Sequence, residues 1–267
     1  MIRDITLGQY YPGDSLIHRL DPRIKIITTI AYIAALFIAD GFIGLATSAA
    51  VIFIVTAVSR VPLSFIMRGL KPIFFIIIFT FIINLFMIPG ETLISLFWGL
   101  TITKEGLRTA VFMAVRLVLL IIGSSLLTLT TKPISLTDGI ESLLKPLKVI
   151  KVPAHELAMM MTIALRFIPT LLEETDKIMK AQQARGADFE SGNIFHRAKS
   201  LIPILVPLFI SAFRIAQELA MAMEARCYHG GDNRTRMNAM KMRAGDFVFM
   251  VLTLAFIGII ICERYFI

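Results

Sequence analysis

Long runs of apolar residues are the feature that most constrains this chain. Four runs lie in the first half, at 26–39, 41–58, 72–89 and about 109–129, and a fifth lies near the end, at 247–262. A helix needs about 20 apolar residues to cross a bilayer, so the short first run must recruit flanking residues. The chain is 57% hydrophobic, well above the apolar share of ordinary soluble domains. These runs predict an all-α membrane protein with about five transmembrane helices.

The positions of Lys and Arg predict how these helices are oriented. The cations Arg19, Arg23 and Lys25 precede the first run, whereas the only charged residue in the turn after it is Asp40. Cationic loops stay in the cytosol, so the N-terminus and the loop 59–71 are expected there. Residues 132–245 hold 16 of the 27 Lys and Arg residues and return to the cytosol. With five spans, the C-terminus lies outside.

Residues 132–245 are charged but too rich in Leu, Ile, Met and Ala to be a solvated linker. Helix-start and helix-stop residues predict about three helices there, at about 133–147, 153–186 and 195–228. We therefore divide the chain into four transmembrane helices in 1–131, a cytosolic coupling domain in 132–245 and a C-terminal transmembrane helix in 246–267. The segment 201–213 is apolar enough to begin a sixth span, but the polar residues from Arg214 onward disfavour this reading.

The second and third cytosolic helices are both long and amphipathic. Each carries one apolar stripe with alternating spacings of four and three residues, which predicts that the two helices cross and pack face to face. The stripes are Leu157, Met161, Ala164, Ile168, Leu171, Thr175, Ile178 and Gln182 in one helix, and Leu201, Leu205, Leu208, Ala212, Ile215, Leu219 and Ala222 in the other.

Both long helices end in nearly the same phrase, Gln183-Ala184-Arg185-Gly186 and Glu224-Ala225-Arg226-Cys227. Continuing each stripe by the same spacing leads to Arg185 and Arg226. A guanidinium fixed at a helix end suits a groove lined by carboxylates or carbonyls on another protein. The alternative is that each cation only complements the helix dipole, which is worth about 0.3–1 kcal/mol. Two copies at matched positions favour docking.

Three phrases together resemble the transmembrane subunit, EcfT, of energy-coupling factor transporters. The paired Ala-Arg-Gly-like ends are joined by Asp21-Pro22-Arg23-Ile24-Lys25 before the first run and by Ala164-Leu165-Arg166-Phe167-Ile168-Pro169 in the first long helix. The resemblance implies that Ala184, Arg185, Gly186, Ala225, Arg226 and Cys227 dock into two ABC-type ATPase subunits. Cys227 stands where that pattern has glycine, and cysteine adopts positive φ less readily.

The same resemblance implies further partners and roles. A substrate-binding membrane subunit would be held by the spans and long helices, in the cell membrane of a prokaryote, for the uptake of a vitamin or another micronutrient. Asp21, Pro22, Arg23, Arg166 and Pro169 would have structural or coupling roles. By residue pattern alone, Asp21 with Pro22 predicts a helix N-cap followed by proline at the first helical position.

Other functions find little support in the sequence. The four histidines lack metal-ligand spacing, the two cysteines support no disulfide framework, and no phosphate-binding loop motif occurs, so we expect no metal, no cofactor and no ATPase activity. The net charge of +8 is explained by membrane orientation rather than by nucleic-acid binding. A self-sufficient secondary transporter or channel is the alternative, but the four interior spans contain no Asp or Glu. For Asn84 we expect a hydrogen bond between helices. For Arg116 we expect a position facing a partner, an internal polar cavity or the membrane interface.

Overall fold

The computed structural model of the chain describes residues 10–95, 101–187, 189, 193, 199–231 and 240–266. Within these residues the predicted all-α fold is confirmed. The α-helices are α1 (Pro22–Ile38), α2 (Phe42–Ser59), α3 (Leu63–Leu70), α4 (Phe74–Met87), α5 (Lys104–Thr130), α6 (Pro133–Leu144), α7 (Ala154–Ala184), α8 (Ile202–Ala225) and α9 (Ala244–Phe266). Short 3-10 helices cover Lys71–Ile73 and Lys145–Ile150. Two short antiparallel strands, β1 (Thr92–Ser95) and β2 (Thr101–Thr103), lie between α4 and α5.

Contacts divide the described chain into two compact units. Among the described residues, one unit contains 10–140 and 240–266, and the other contains those between Glu141 and Gly231. We refer to them as the first unit and the second unit. The predicted division into membrane and cytosolic segments, at 131 and 245, stays a prediction.

Helix α5 organises the first unit, because it packs against α1, α2, α3 and α4, and α1 in turn packs against α9. The core that these helices share contains Leu36 and Ile52, together with Leu119, Leu126 and Ile260. Outside this core, many large apolar side chains point outward; Phe75, for example, is 77% exposed. An outward apolar surface of this extent is what a membrane protein presents to lipid.

In the described part of the chain, six helical segments are long and apolar enough to cross a membrane: α2, α3 continuing into α4, α5, α7, α8 and α9. Length and composition thus include α7 and α8, for which we predict a cytosolic location, although these two have the lowest mean hydropathy of the six. The 17-residue α1 lies outside this set, although it extends the predicted first run by four residues, to Pro22. The location of α7 and α8 stays a prediction.

The structure corrects two local expectations and leaves a third open. Helix α5 begins at Lys104, five residues before the predicted start, because Thr103 caps it by accepting a hydrogen bond from the Gly106 N–H. The first turn of α5 contains polar residues, so an apolar pattern places the start of the helix too late. The Asn84 side chain donates to the Thr80 carbonyl of its own helix, and within the described residues it forms no hydrogen bond to a neighbouring helix. The Arg116 guanidinium donates to the carbonyl of Ala39, the residue that ends α1, and lies over the Phe112 ring. Whether Arg116 faces a partner, a polar cavity or the membrane interface stays a prediction.

Candidate functional site

The C-terminal end of α7 is closed by backbone hydrogen bonds around Arg185. The Gly186 N–H donates to the Gln183 carbonyl at 2.9 Å, and the Ala187 N–H donates to the Gln182 carbonyl at 3.0 Å. These two bonds form a Schellman motif, in which Arg185 is the C-cap residue and the next residue turns into the left-handed region. Gly186 has a φ of +88°, which glycine adopts without steric cost.

The C-terminal end of α8 repeats this arrangement around Arg226. The Cys227 N–H donates to the Glu224 carbonyl at 2.8 Å, and the Tyr228 N–H donates to the Met223 carbonyl at 3.1 Å. The backbone dihedrals of the two arginines also agree: φ is −88° and ψ is 5° at Arg185, against −93° and 14° at Arg226. The matched phrases of the sequence therefore fold into the same cap. We call these two caps, residues 184–187 and 225–228, the arginine caps.

Cys227 adopts the left-handed conformation that the cap requires. Its φ is +54°, where the corresponding Gly186 has +88°. A side chain with a Cβ costs about 1–2 kcal/mol in this region, so the cap of α8 forms in spite of its cysteine. The cysteine therefore raises the conformational energy of the α8 cap but leaves its backbone geometry the same as that of the α7 cap.

Both arginine caps are exposed. Arg185, Gly186, Arg226 and Cys227 are each solvent-accessible, and within the described residues neither guanidinium has a hydrogen bond or an ion pair. An arginine that is fixed at its backbone and unpaired at its head has its hydrogen-bonding capacity available for a partner.

Sequence comparisons identify the family of the chain. Residues 13–237 match the CbiQ family, described as "Cobalt transport protein". The chain is 60% identical over 252 residues to the energy-coupling factor transporter transmembrane protein EcfT of Thermosediminibacter oceani, covering 94% of this chain and 95% of that relative. The chain belongs to the CbiQ/EcfT family.

Other relatives carry the same name. The protein from Clostridium kluyveri is 59% identical over 265 residues, covering 99% of this chain and 98% of the relative, and that from Bacillus subtilis is 49% identical over 246 residues, covering 92% and 93%. As a member of the CbiQ/EcfT family, the chain is a multi-pass transmembrane component of an energy-coupling factor transporter.

In this CbiQ/EcfT protein the two long helices pack against each other, but less deeply than their stripes predict. Helices α7 and α8 are in contact. Only Ala154 and Ala158 are buried in α7, and only Ile204 and Ser211 in α8. The predicted stripe residues of α8 from Leu208 to Leu219 are half-buried, whereas Leu201 and Leu205 are 49% and 48% exposed. The buried face of α8 therefore begins one residue away from the predicted stripe.

Arg166 and Pro169, the other predicted positions on α7, are both exposed. Pro169 lies inside the helix, where it has no N–H to donate to the carbonyl four residues earlier. Helix α8 likewise contains an internal proline, Pro207. Internal prolines interrupt the hydrogen-bond ladder of both helices that end in arginine caps.

Asp21, Pro22 and Arg23 lie in the first unit and begin α1. The Asp21 carboxylate accepts a hydrogen bond from the Arg23 N–H at 2.9 Å, with Pro22 at the first helical position, so the predicted N-cap is confirmed. The Arg23 Nε lies 3.8 Å from the Asp21 carboxylate. These residues therefore shape the start of a helix, while any further role stays a prediction.

Two charged residues near this N-cap, Lys25 and Asp246, received no site role from the sequence. Lys25 is 5% exposed and donates from Nζ to the carbonyls of Thr130, at 2.9 Å, and His18, at 3.2 Å. Asp246, at the start of α9, is 1% exposed and accepts from the N–H groups of Asp21 and Arg243, both at 2.7 Å. The three residues form a buried polar cluster, Asp21, Lys25 and Asp246, that joins α1, α5 and α9.

The segment before α1 holds a partly buried histidine. His18 lies within hydrogen-bonding distance of the Ser15 hydroxyl, at 2.7 Å, and of the Tyr11 carbonyl, at 3.2 Å. Burial lowers the pKa of His18 below its ordinary value of 6.5. Within the described residues, no group of three or more His, Cys, Asp or Glu side chains is placed to hold a metal ion.

Proposed function

We propose that the chain is the non-catalytic coupling subunit of an energy-coupling factor importer, with the two arginine caps as docking points for two ABC-type ATPase subunits. ATP-driven closure of the ATPase pair moves the caps, and α7 and α8 carry this motion to a substrate-binding membrane subunit. The cargo is a vitamin or another micronutrient. The N-terminus, α7 and α8 face the cytosol of a prokaryotic cell, in accord with the distribution of Lys and Arg.

The observation that carries this proposal is the repetition of one geometry at two helix ends. A cation that only complements a helix dipole does not need the same φ, ψ and hydrogen-bond pattern on two different helices. A matched pair of exposed guanidinium groups is instead suited to bind two copies, or two similar subunits, of one partner type. The family name, transmembrane protein of an energy-coupling factor transporter, agrees with partners that supply the energy.

Charge reversal at each cap tests the docking role. Arg185→Glu and Arg226→Glu are each expected to reduce copurification of the ATPase subunits and to abolish uptake, because a carboxylate replaces the guanidinium donors. Lys180→Glu is the matched control, since Lys180 is exposed on the same helix one and a half turns before Arg185. Membrane insertion and yield should be the same for all three variants.

Two results would contradict the proposal. Wild-type uptake by the Arg185→Glu and Arg226→Glu variants would remove the docking role of the caps. Substrate uptake by the purified chain alone in liposomes would instead support a self-sufficient transporter.

A further inference from the structure

The α8 arginine cap is joined to a side-chain cluster that the α7 cap lacks within the described residues. Tyr228, the last residue of this cap, reaches His155 near the start of α7, with 3.5 Å between the Tyr228 Oη and the His155 Nε2. The other ring nitrogen of His155, Nδ1, lies 3.1 Å from a carboxylate oxygen of Glu141 on α6. All three residues belong to the second unit.

The chemistry of these groups gives the cluster a direction. An ionised Glu141 carboxylate only accepts, so the His155 Nδ1–H donates to it and Nε2 becomes the acceptor for the Tyr228 hydroxyl. The Glu141 side chain is 8% exposed and that of His155 is 33% exposed, so solvent competes little for the Glu141 contact. We call Glu141, His155 and Tyr228 the cap latch.

Gly231 packs against the His155 ring of the cap latch. A Cβ at Gly231 would lie 2.2 Å from the His155 Cδ2 and 2.5 Å from its Cγ, closer than non-bonded carbon atoms approach. The backbone that leaves α8 therefore runs directly over the imidazole ring. Gly230, with a φ of +100°, provides the turn that brings it there.

The α7 cap has a different environment. Its last residue is Ala187, whose methyl group cannot form a hydrogen bond, where the α8 cap has the tyrosine. A Cβ at Gly186 would meet no atom of the described residues within 4 Å. The two caps thus share their backbone geometry but differ in what holds them.

We infer that the cap latch is a positioning device that makes the two arginine caps mechanically unequal. The α8 cap is held to His155 at the start of α7 and, through His155, to Glu141 on α6, so motion imposed on Arg226 is passed to both. Within the described residues, the α7 cap has no corresponding side-chain contact to another helix.

This inference rests on the proposed docking function and is tested in two measurements. The first measures the mobility of the caps in the full-length chain in lipid nanodiscs. With Cys262 replaced by Ser, a nitroxide label on the native, exposed Cys227 reports on the α8 cap. In a second chain, with Cys227 also replaced by Ser, the label is attached through Ala187→Cys and reports on the α7 cap.

Gly231→Ala should increase the mobility of the label at 227 and leave the label at 187 unchanged. Gly245→Ala is the matched control, because a Cβ there would meet no atom of the described residues within 4 Å and should alter neither label. Tyr228→Phe removes one hydroxyl and keeps the ring, so it gives a smaller change in the same direction without risk to the fold. Equal mobility at 227 in wild type, Gly231→Ala and Tyr228→Phe would overturn the inference.

The second measurement uses the assembled transporter, reconstituted in liposomes with native cysteines. Glu141→Gln, at a residue outside both arginine caps, replaces the charged acceptor of the His155 contact by a neutral one. This variant should lower the number of substrate molecules transported per ATP hydrolysed about threefold to fivefold, with ATPase copurification unchanged. An unchanged ratio would overturn the inference. Different results refute the two proposals. Normal assembly of the Arg226→Glu variant would refute the docking function. Unchanged coupling and mobility in the latch variants, with assembly still disrupted by Arg226→Glu, would refute the latch alone.

Discussion

Replacing Asp246 by asparagine tests whether the buried polar cluster holds the C-terminal helix α9 in place. Both carboxylate oxygens of Asp246 accept a backbone N–H, one from Asp21 and one from Arg243, each at 2.7 Å. The side chain is almost fully buried, and the ammonium group of Lys25 is the nearby cation. Asparagine has nearly the same shape, so the substitution changes hydrogen bonding and charge while it preserves volume.

The expected loss of stability follows from these two bonds. A hydrogen bond to a charged acceptor contributes about 1.5–3 kcal/mol. The asparagine oxygen retains one of the two bonds, while its NH₂ group faces the second N–H and leaves that donor buried and unpaired. We therefore expect a loss of about 2–3 kcal/mol for Asp246→Asn, and about 3–6 kcal/mol for Asp246→Ala, in which both bonds disappear.

The assay is thermal unfolding of the purified chain in detergent, followed by the fraction that remains monodisperse after heating. For a chain of this size, a loss of about 2–3 kcal/mol lowers the midpoint by roughly 4–12 °C. Asp14→Asn is the control: this carboxylate also pairs with a cation, Arg19 at 2.7 Å, but it is exposed, so its midpoint should equal that of wild type. Equal midpoints for Asp246→Asn and Asp14→Asn would refute the reasoning, because a buried carboxylate with two short hydrogen bonds cannot be exchanged without cost.

Three further substitutions have expected outcomes. Cys227→Gly should raise the thermal midpoint and keep ATPase copurification, because it removes about 1 kcal/mol of left-handed strain while retaining the arginine cap; a lower midpoint would contradict the strain argument. Gly123→Ala should destabilise the chain although alanine favours helices, since its Cβ would lie 2.5 Å from the Tyr32 ring; a higher midpoint would show that the ring moves aside. Asn84→Leu should change the midpoint little, because within the described residues the amide bonds only to the Thr80 carbonyl of its own helix. A loss above about 2 kcal/mol would indicate a partner in another helix.

The features that the sequence predicts well are those that depend on neighbouring residues. The apolar run 41–58 locates α2 to within one residue at each end, because apolar content and helix length are local properties. The N-cap at Asp21 and both arginine caps are also local, since their hydrogen bonds join residues no more than five positions apart.

The features that the sequence misses depend on distant contacts. Asp21 and Asp246 are 225 positions apart, and a lone aspartate before an apolar run gives no sign of which backbone N–H it will accept. The buried face of α8 is missed for another reason. Its first turns are apolar on nearly every side, so a stripe through Leu201 and Leu205 fits the helical period as well as one through Ile204 and Ser211. Only the packing partner decides between them.

The Schellman caps also make the position of each arginine depend on the length of its helix. Because the cap consists of local backbone hydrogen bonds, it forms again wherever the cap sequence ends the helix. The number of residues before the cap therefore sets the position of the arginine. One residue added to α7 would advance Arg185 by about 1.5 Å and rotate it by about 100°, whereas a four-residue insertion would advance it by about 6 Å and restore nearly its original direction. The number of residues in each long helix therefore sets both how far its arginine extends and in which direction the guanidinium points.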